Sequence, residues 1–206
     1  MKLDTLEIQS LKEVTRNPWL YISSLLTALW SFTMLTSVTG ALATTFFAVL
    51  LITLTLIDFK HMILPDLITI PAIPLGLVIA PLFLNIHWID SLLGAALGYG
   101  FFFIIAISFK KLKGKDGMGF GDIKLLSMLG AWCGAFALPL IVLGSSIIGI
   151  TFFLLRKVHK GTSTSTPMPY GPFLAVSGWL ALLYGHSLWI TIFQWRTNLT
   201  VFILGE

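Results

Sequence analysis

Residues 115–134 read KDGMGFGDIKLLSMLGAWCG: a basic, glycine-bearing head runs straight into an apolar tail, and Asp122 stands at the junction. Outward from this stretch, most of the sequence is apolar. The chain has 206 residues, of which 56% are hydrophobic and 11% charged, and its mean hydropathy is +0.92. A soluble domain carries about 25% charged residues. One core of this size cannot hide so much apolar surface, so lipid must solvate much of it. The expected fold class is all-α, a polytopic membrane helix bundle.

A span needs about 20 apolar residues. Seven segments qualify: 19–38, 41–57, 67–84, 91–109, 123–138, 139–155 and 172–195. The first two are divided at a turn around Gly40, and the fifth and sixth at GAFALPL by Gly134 and Pro139. Residues 1–18 form a separate N-terminal segment whose Leu3, Leu6, Ile8, Leu11 and Val14 fit an amphipathic helix at the membrane surface. It holds no apolar run of the kind a cleavable signal needs. The transmembrane domain is expected over 19–195 and a short outer tail over 196–206.

Charge segregation orients the bundle. With the N-terminus in the cytoplasm, every basic residue except Arg196 falls on the cytoplasmic side, in loops around Lys12, Lys60, Lys110–Lys115 and Arg156–Lys160. Seven spans then leave the C-terminus outside. The net charge of +4 is therefore mostly an orientation signal, with some attraction to anionic lipid, and implies no nucleic-acid partner. Most tryptophans fall near span ends, as an interfacial belt would. A single cysteine, Cys133, excludes an internal disulfide or a cysteine-cluster zinc site, and the four histidines lack metal-ligand spacing. No metal or cofactor is expected.

Four carboxylates fall on the cytoplasmic side of the bundle: Asp58, Asp66, Asp116 and Asp122. Asp58 ends a span and Asp122 begins one, and an ionisable group at the apolar boundary is a functional hypothesis by default. Two carboxylates held close share a proton, so one serves as acid while the other activates water. Gly119 and Gly121 suit that setting by allowing unusual backbone angles and close approach of another chain. Each position also has an ordinary reading. Asp122 serves equally well as a helix N-cap, Asp66 after Pro65 as the cap of the third span, Asp116 as a turn residue and Lys124 as an interfacial anchor. At Asp58 the helix-end reading is weaker, because a C-terminal dipole disfavours a carboxylate.

GMGFGDIKLLSMLGAWCG resembles the GxGD signature of bacterial type IV prepilin peptidases, membrane aspartic proteases that mature type IV pilins and type II secretion pseudopilins. Three further blocks are similar to that family, in order from about residue 41 to 186: LTLIDFKHMILPDLITIPAIPLGL (54–77), SLLGAALGYGFFFIIA (91–106) and MPYGPFLAVSGWLALLYG (168–185). The resemblance implies that Asp58 and Asp122 are the catalytic pair. It carries Gly119, Gly121 and Lys124 over as motif residues, and Pro65 and Asp66 as the Leu-Pro-Asp that follows the first aspartate. It implies a bacterial inner-membrane enzyme that acts on prepilins or pseudopilins at the cytoplasmic face. Longer members carry an N-terminal region with CxxC pairs, associated with N-methylation; this sequence reads as a short form without it, so the resemblance carries the peptidase and not the N-methyltransferase.

The alternatives from other classes are a small ion-coupled transporter, with the edge aspartates handling protons or cations, and a non-catalytic assembly protein of a pilus or secretion system. The polar loops 110–121 and 156–172 are placed to gate entry to the site. Ser163 and Ser165 within the latter lack a base constellation and read as linker.

Overall fold

The computed structural model describes residues 2–35, 37–114, 119–160 and 168–185. Asp116, residues 161–167 of the second loop with Ser163 and Ser165, the end of the expected last span and the tail lie outside the described residues. Eight α-helices follow one another: α1 (Lys2–Thr15), α2 (Pro18–Met34), α3 (Val38–His61), α4 (Asp66–Phe83), α5 (Trp88–Lys113), α6 (Phe120–Cys133), α7 (Leu138–Lys160) and α8 (Gly171–Gly185). Among the described residues there is no strand. Helices α3, α4 and α5 and the segment Ala135–Val158 are each long and apolar enough to cross a bilayer. The chain is a polytopic membrane helix bundle.

Local chemistry sets the helix ends. Asn17 caps α2, its side-chain oxygen accepting from the Trp19 N–H at 3.0 Å, with Pro18 in the first turn where no partner is lost. Ser37 caps α3 in the same way, accepting from the Gly40 N–H, so Gly40 lies inside α3 and not at the turn expected there. Gly114 ends α5 at φ +64°, the left-handed conformation that closes many helices. Gly134 ends α6 at φ +81°, and a 3₁₀ turn, Ala135–Ala137, leads into α7. The Asp90 carboxylate holds that turn by accepting from the Ala135 N–H at 3.0 Å. His87, and not Asp90, occupies the cap of α5.

Helix α6 is the axis of the bundle. From Ile123 to Cys133 every residue except Lys124 is buried. A helix apolar on all sides is enclosed by its neighbours, and here they are Phe47, Leu51 and Leu54 of α3, Ala72 of α4, Ala95 and Phe102 of α5, and Leu174 of α8. At about 1.5 Å per residue its 14 residues are shorter than a bilayer core. Enclosure in protein removes the need for that length.

Two close approaches seat α6. Ser91, Gly94, Ala95 and Gly98 lie at i, i+3, i+4 and i+7 on one face of α5, so their small side chains form a groove. The backbone of α6 fills it. A Cβ on Gly130 would overlap the Gly94 carbonyl, and one on Gly98 would stand 2.5 Å from the Leu126 oxygen. Two serines cross the same interface, Ser127 donating to the Ala95 carbonyl at 2.9 Å and Ser91 to the Ala131 carbonyl at 2.5 Å. On the α4 side, Gly76 leaves room for the Trp132 indole, whose N–H donates to the Ala72 carbonyl at 2.8 Å. Phe47 stacks on the same ring at 4.7 Å between centroids. Trp132 is thus a core residue, unlike the interfacial tryptophans Trp19 and Trp88, which are exposed.

Helix α1 does not present all its apolar residues to one surface. Leu11 and Val14 pack against Leu20, Ile57, Ile63 and Ile68, at the end of the bundle where α3 stops and α4 starts. Leu6 and Ile8 are exposed. Glu13 pairs with Lys60 and His61 in the last turn of α3. Lys60 holds the Glu13 carboxyl below its ordinary pKa, chiefly through their hydrogen bond.

Two outcomes follow from this packing. Gly130→Ala should destabilise the bundle by about 1–3 kcal/mol through overpacking, read as a lower Tm in detergent. Gly100→Ala, whose Cβ meets nothing within 4 Å, should leave Tm unchanged or slightly higher. For Glu13, a lowered folded pKa means that the stabilisation is complete above the unfolded carboxyl pKa and lost as pH falls through the folded value. Hydrogen exchange of α1, normalised to intrinsic rates, should therefore separate Glu13→Gln from the parent at neutral pH and converge with it in acid. Because the pair is exposed, added salt should shrink the same difference.

Candidate active site

Three separate segments meet at one end of the bundle around a cavity of about 580 Å³. The end of α3 and its following loop supply Asp58 and Leu64, the start of α6 supplies Gly121 and Asp122, and the approach to α8 supplies Pro169 and Tyr170. Asp58 and Asp122 both line the cavity. They are 64 positions apart in the chain, so only the folding of α3 against α6 brings them together.

Asp58 is buried in the last turn of α3, and its own carbonyl accepts from the Met62 N–H that closes the helix at 2.9 Å. A carboxylate at this end faces the negative pole of its own helix. A second helix compensates. Gly171, the first residue of α8, donates its backbone N–H to Asp58 Oδ2 at 3.1 Å, so the positive pole of α8 meets the charge that α3 repels. Pro172 follows and has no N–H to offer, which leaves Gly171 to make this contact. A Cβ on Gly171 would lie 2.6 Å from the same carboxylate oxygen, so the residue must be glycine for Asp58 to sit where it does.

Asp122 is not the cap of α6. Gly119 occupies that position, and Asp122 is the third helical residue, its N–H donating to the Gly119 carbonyl at 3.2 Å. Its carboxylate, free of capping duty, points to the cavity. The two glycines do not use left-handed backbone angles. Gly119 has φ −71°, open to any residue. Gly121 matters for close approach instead, since a Cβ there would stand 2.9 Å from the Leu64 Cβ. It lets the loop after Asp58 close against the start of α6.

Asp66 and Lys124 also differ from their ordinary readings. Pro65 holds the cap position of α4 and Asp66 is the first helical residue. The Asp66 carboxylate accepts from Lys124 Nζ at 2.6 Å on both oxygens, so Lys124 is a partner of Asp66 and not an interfacial anchor. The Asp66 N–H in turn donates to Glu7 Oε1 of α1 at 3.2 Å.

Sequence reasoning did not single out Gly171, Tyr170 or Glu7. The signal for the first was a glycine between Tyr170 and Pro172 in PYGP; for Glu7 there was none. The Tyr170 hydroxyl is hydrogen-bonded to Ser145 at 2.8 Å, which fixes the wall between this cavity and a second one of about 350 Å³. That second space is almost wholly apolar, lined by Ile150, Phe153 and Phe173.

A pair of carboxylates, Asp58 buried and Asp122 half-buried, beside a cavity open to water can take a proton from that water and return one to a substrate. Residues 45–154 match the type IV leader peptidase family. The prepilin leader peptidase/N-methyltransferase of Aeromonas salmonicida is 43% identical over 171 residues, which cover 80% of this chain and 57% of that protein. The protein of the same name from Pseudomonas aeruginosa is 41% identical over 144 residues, 70% of this chain and 50% of that one. The Xanthomonas campestris protein is 43% identical over 132 residues, 64% and 46%. The chain spans about half the length of the curated relatives it matches. No solved structure matches it. With a family match over more than half its residues, running through both the Asp58 and the Asp122 segments, the chain belongs to the type IV leader peptidase family.

Proposed function

We propose that this chain is a membrane aspartic endopeptidase that removes the leader of type IV prepilins or type II secretion pseudopilins at the cytoplasmic face. One observation carries the reading: two carboxylates from distant parts of the chain, Asp58 and Asp122, converge on one cavity at one end of an otherwise apolar bundle. Its topology has the N-terminus inside and the C-terminus outside.

The reaction needs a water, an acid and a base. The ionised member of the dyad takes a proton from water as its oxygen attacks the scissile carbonyl carbon. The protonated member gives its proton to the carbonyl oxygen and, on collapse, a proton passes to the leaving amine. The Gly171 N–H anchors Asp58 against the start of α8, so the carboxylate is oriented before substrate arrives. Gly121 and Leu64 close the wall beside Asp122. The substrate's apolar helix lies in the bilayer against the bundle, and its polar leader meets the cavity from the cytoplasm.

The test is cleavage of a prepilin with a basic leader by the purified protein in detergent or lipid. Asp58→Asn and Asp122→Asn should each lower kcat by roughly a thousandfold or more, in the range of lost acid–base catalysis, with the bundle's Tm retained. Full activity in either variant would refute the dyad. For the parent, kcat/KM should be bell-shaped with pH, because only the singly protonated pair is competent, and its two limbs belong to the pair together. Gly171→Ala should lower kcat by about a hundredfold by displacing Asp58, a loss typical of misplaced catalytic groups.

A further inference from the structure

The N-terminal helix touches the chain on both sides of Asp58. Val14 packs with Ile57, Glu13 pairs with Lys60 and His61, Leu11 and Val14 share a cluster with Ile63, and Glu7 accepts the Asp66 N–H. Asp66 is also the partner of Lys124, two residues after Asp122. A continuous set of contacts therefore runs from α1 through the start of α4 to the first turns of α6. It uses neither carboxylate of the dyad, although Asp66 and Lys124 line the same cavity as they do.

The charges in this set are placed where they would not stand alone. Lys124 lies near the N-terminus of α6, the end at which the helix dipole disfavours a cation. Both of its short contacts go to Asp66, so it is not free to bind a substrate oxygen. Asp66 at the start of α4 is favoured by that helix and by Lys124 together. Such a pair, part-exposed at both ends, contributes little to stability. What a bidentate contact of this kind supplies is register: it fixes the start of α6 against the start of α4.

We propose that α1 is a strap of the active site, and that Glu13 on the end of α3 and the Glu7–Asp66–Lys124 bridge set the spacing between Asp58 and Asp122. The proposal rests on the aspartate-dyad reading for its effect on turnover, and on the contacts alone for its effect on geometry. Lys124, Asp66, Glu7 and Glu13 are positioning residues; none of them touches the reacting atoms.

The experiment measures both effects in the full chain. Lys124→Met and the double variant Glu7→Gln/Glu13→Gln should lower kcat about tenfold or more, as misplaced groups do, while KM stays within about threefold and Tm within a few degrees. Lys124→Arg, and the exchange Asp66→Lys with Lys124→Asp, should recover most of that loss, which a merely structural role does not predict. Spin labels at Phe59→Cys and Phe120→Cys, both exposed, report the gap between α3 and α6 by electron paramagnetic resonance. Their distance distribution should broaden in Lys124→Met and in the Glu7/Glu13 double variant. Turnover within twofold of the parent and an unchanged distribution would overturn the strap, as would a loss that the charge exchange fails to recover. If the parent does not cleave prepilin yet the distribution broadens in these variants, the peptidase reading falls and the strap stands.

Discussion

Backbone lies against backbone where α5 meets α6, at Gly94 and Gly130. Without Cβ atoms between them, the two helices approach closely enough for serine hydroxyls on each to reach carbonyls on the other. That contact, with the Gly76 recess for Trp132, seats α6 among α3, α4, α5 and α8 and away from lipid. An enclosed helix need not span the bilayer alone, so its N-terminus can open on a cavity within the protein. Asp122 therefore faces a cavity within the protein and not lipid, where its charge would be far more costly.

Several charges at the site are answered by an element other than their own. Asp58 lies at the unfavourable end of α3 and at the favourable end of α8. Lys124 lies at the unfavourable end of α6 and beside the carboxylate of α4. Glu13 on α1 answers the basic last turn of α3. The assembled bundle supplies the missing partners, which makes the arrangement of helix ends specific at little gain in net stability.

Particular residues show how much of this could be read in advance. The first six apolar segments corresponded to helices to within a few residues, and the seventh begins where α8 does, because lipid-length hydropathy is a property of the local sequence. The GxGD block and the Leu-Pro-Asp block were visible as ordered motifs, and hydropathy placed Asp58 and Asp122 on the same side. The capping role weighed for Asp122 belongs to Gly119, and the anchor role weighed for Lys124 gives way to Asp66. Gly119 and Gly121 were read as allowing unusual backbone angles and close approach of another chain; the angles are ordinary, and the close approach is that of Leu64 to Gly121. The amphipathic pattern of α1 was legible, but Leu11 and Val14 meet protein while Leu6 and Ile8 are exposed.

The sequence by itself determined a membrane bundle of helices, their order, and two carboxylates at one edge. These depend on composition and on periodicity along the chain, which need no partner to be expressed. Tertiary structure alone decided that α6 is the enclosed axis, that Gly171 offers its N–H to Asp58, and that α1 reaches Asp66. Such choices depend on which backbone groups remain unsatisfied at helix ends and which small residues let two helices close on each other. Both are set by packing between segments far apart in the chain, and one-dimensional pattern carries no record of the neighbour that fills them.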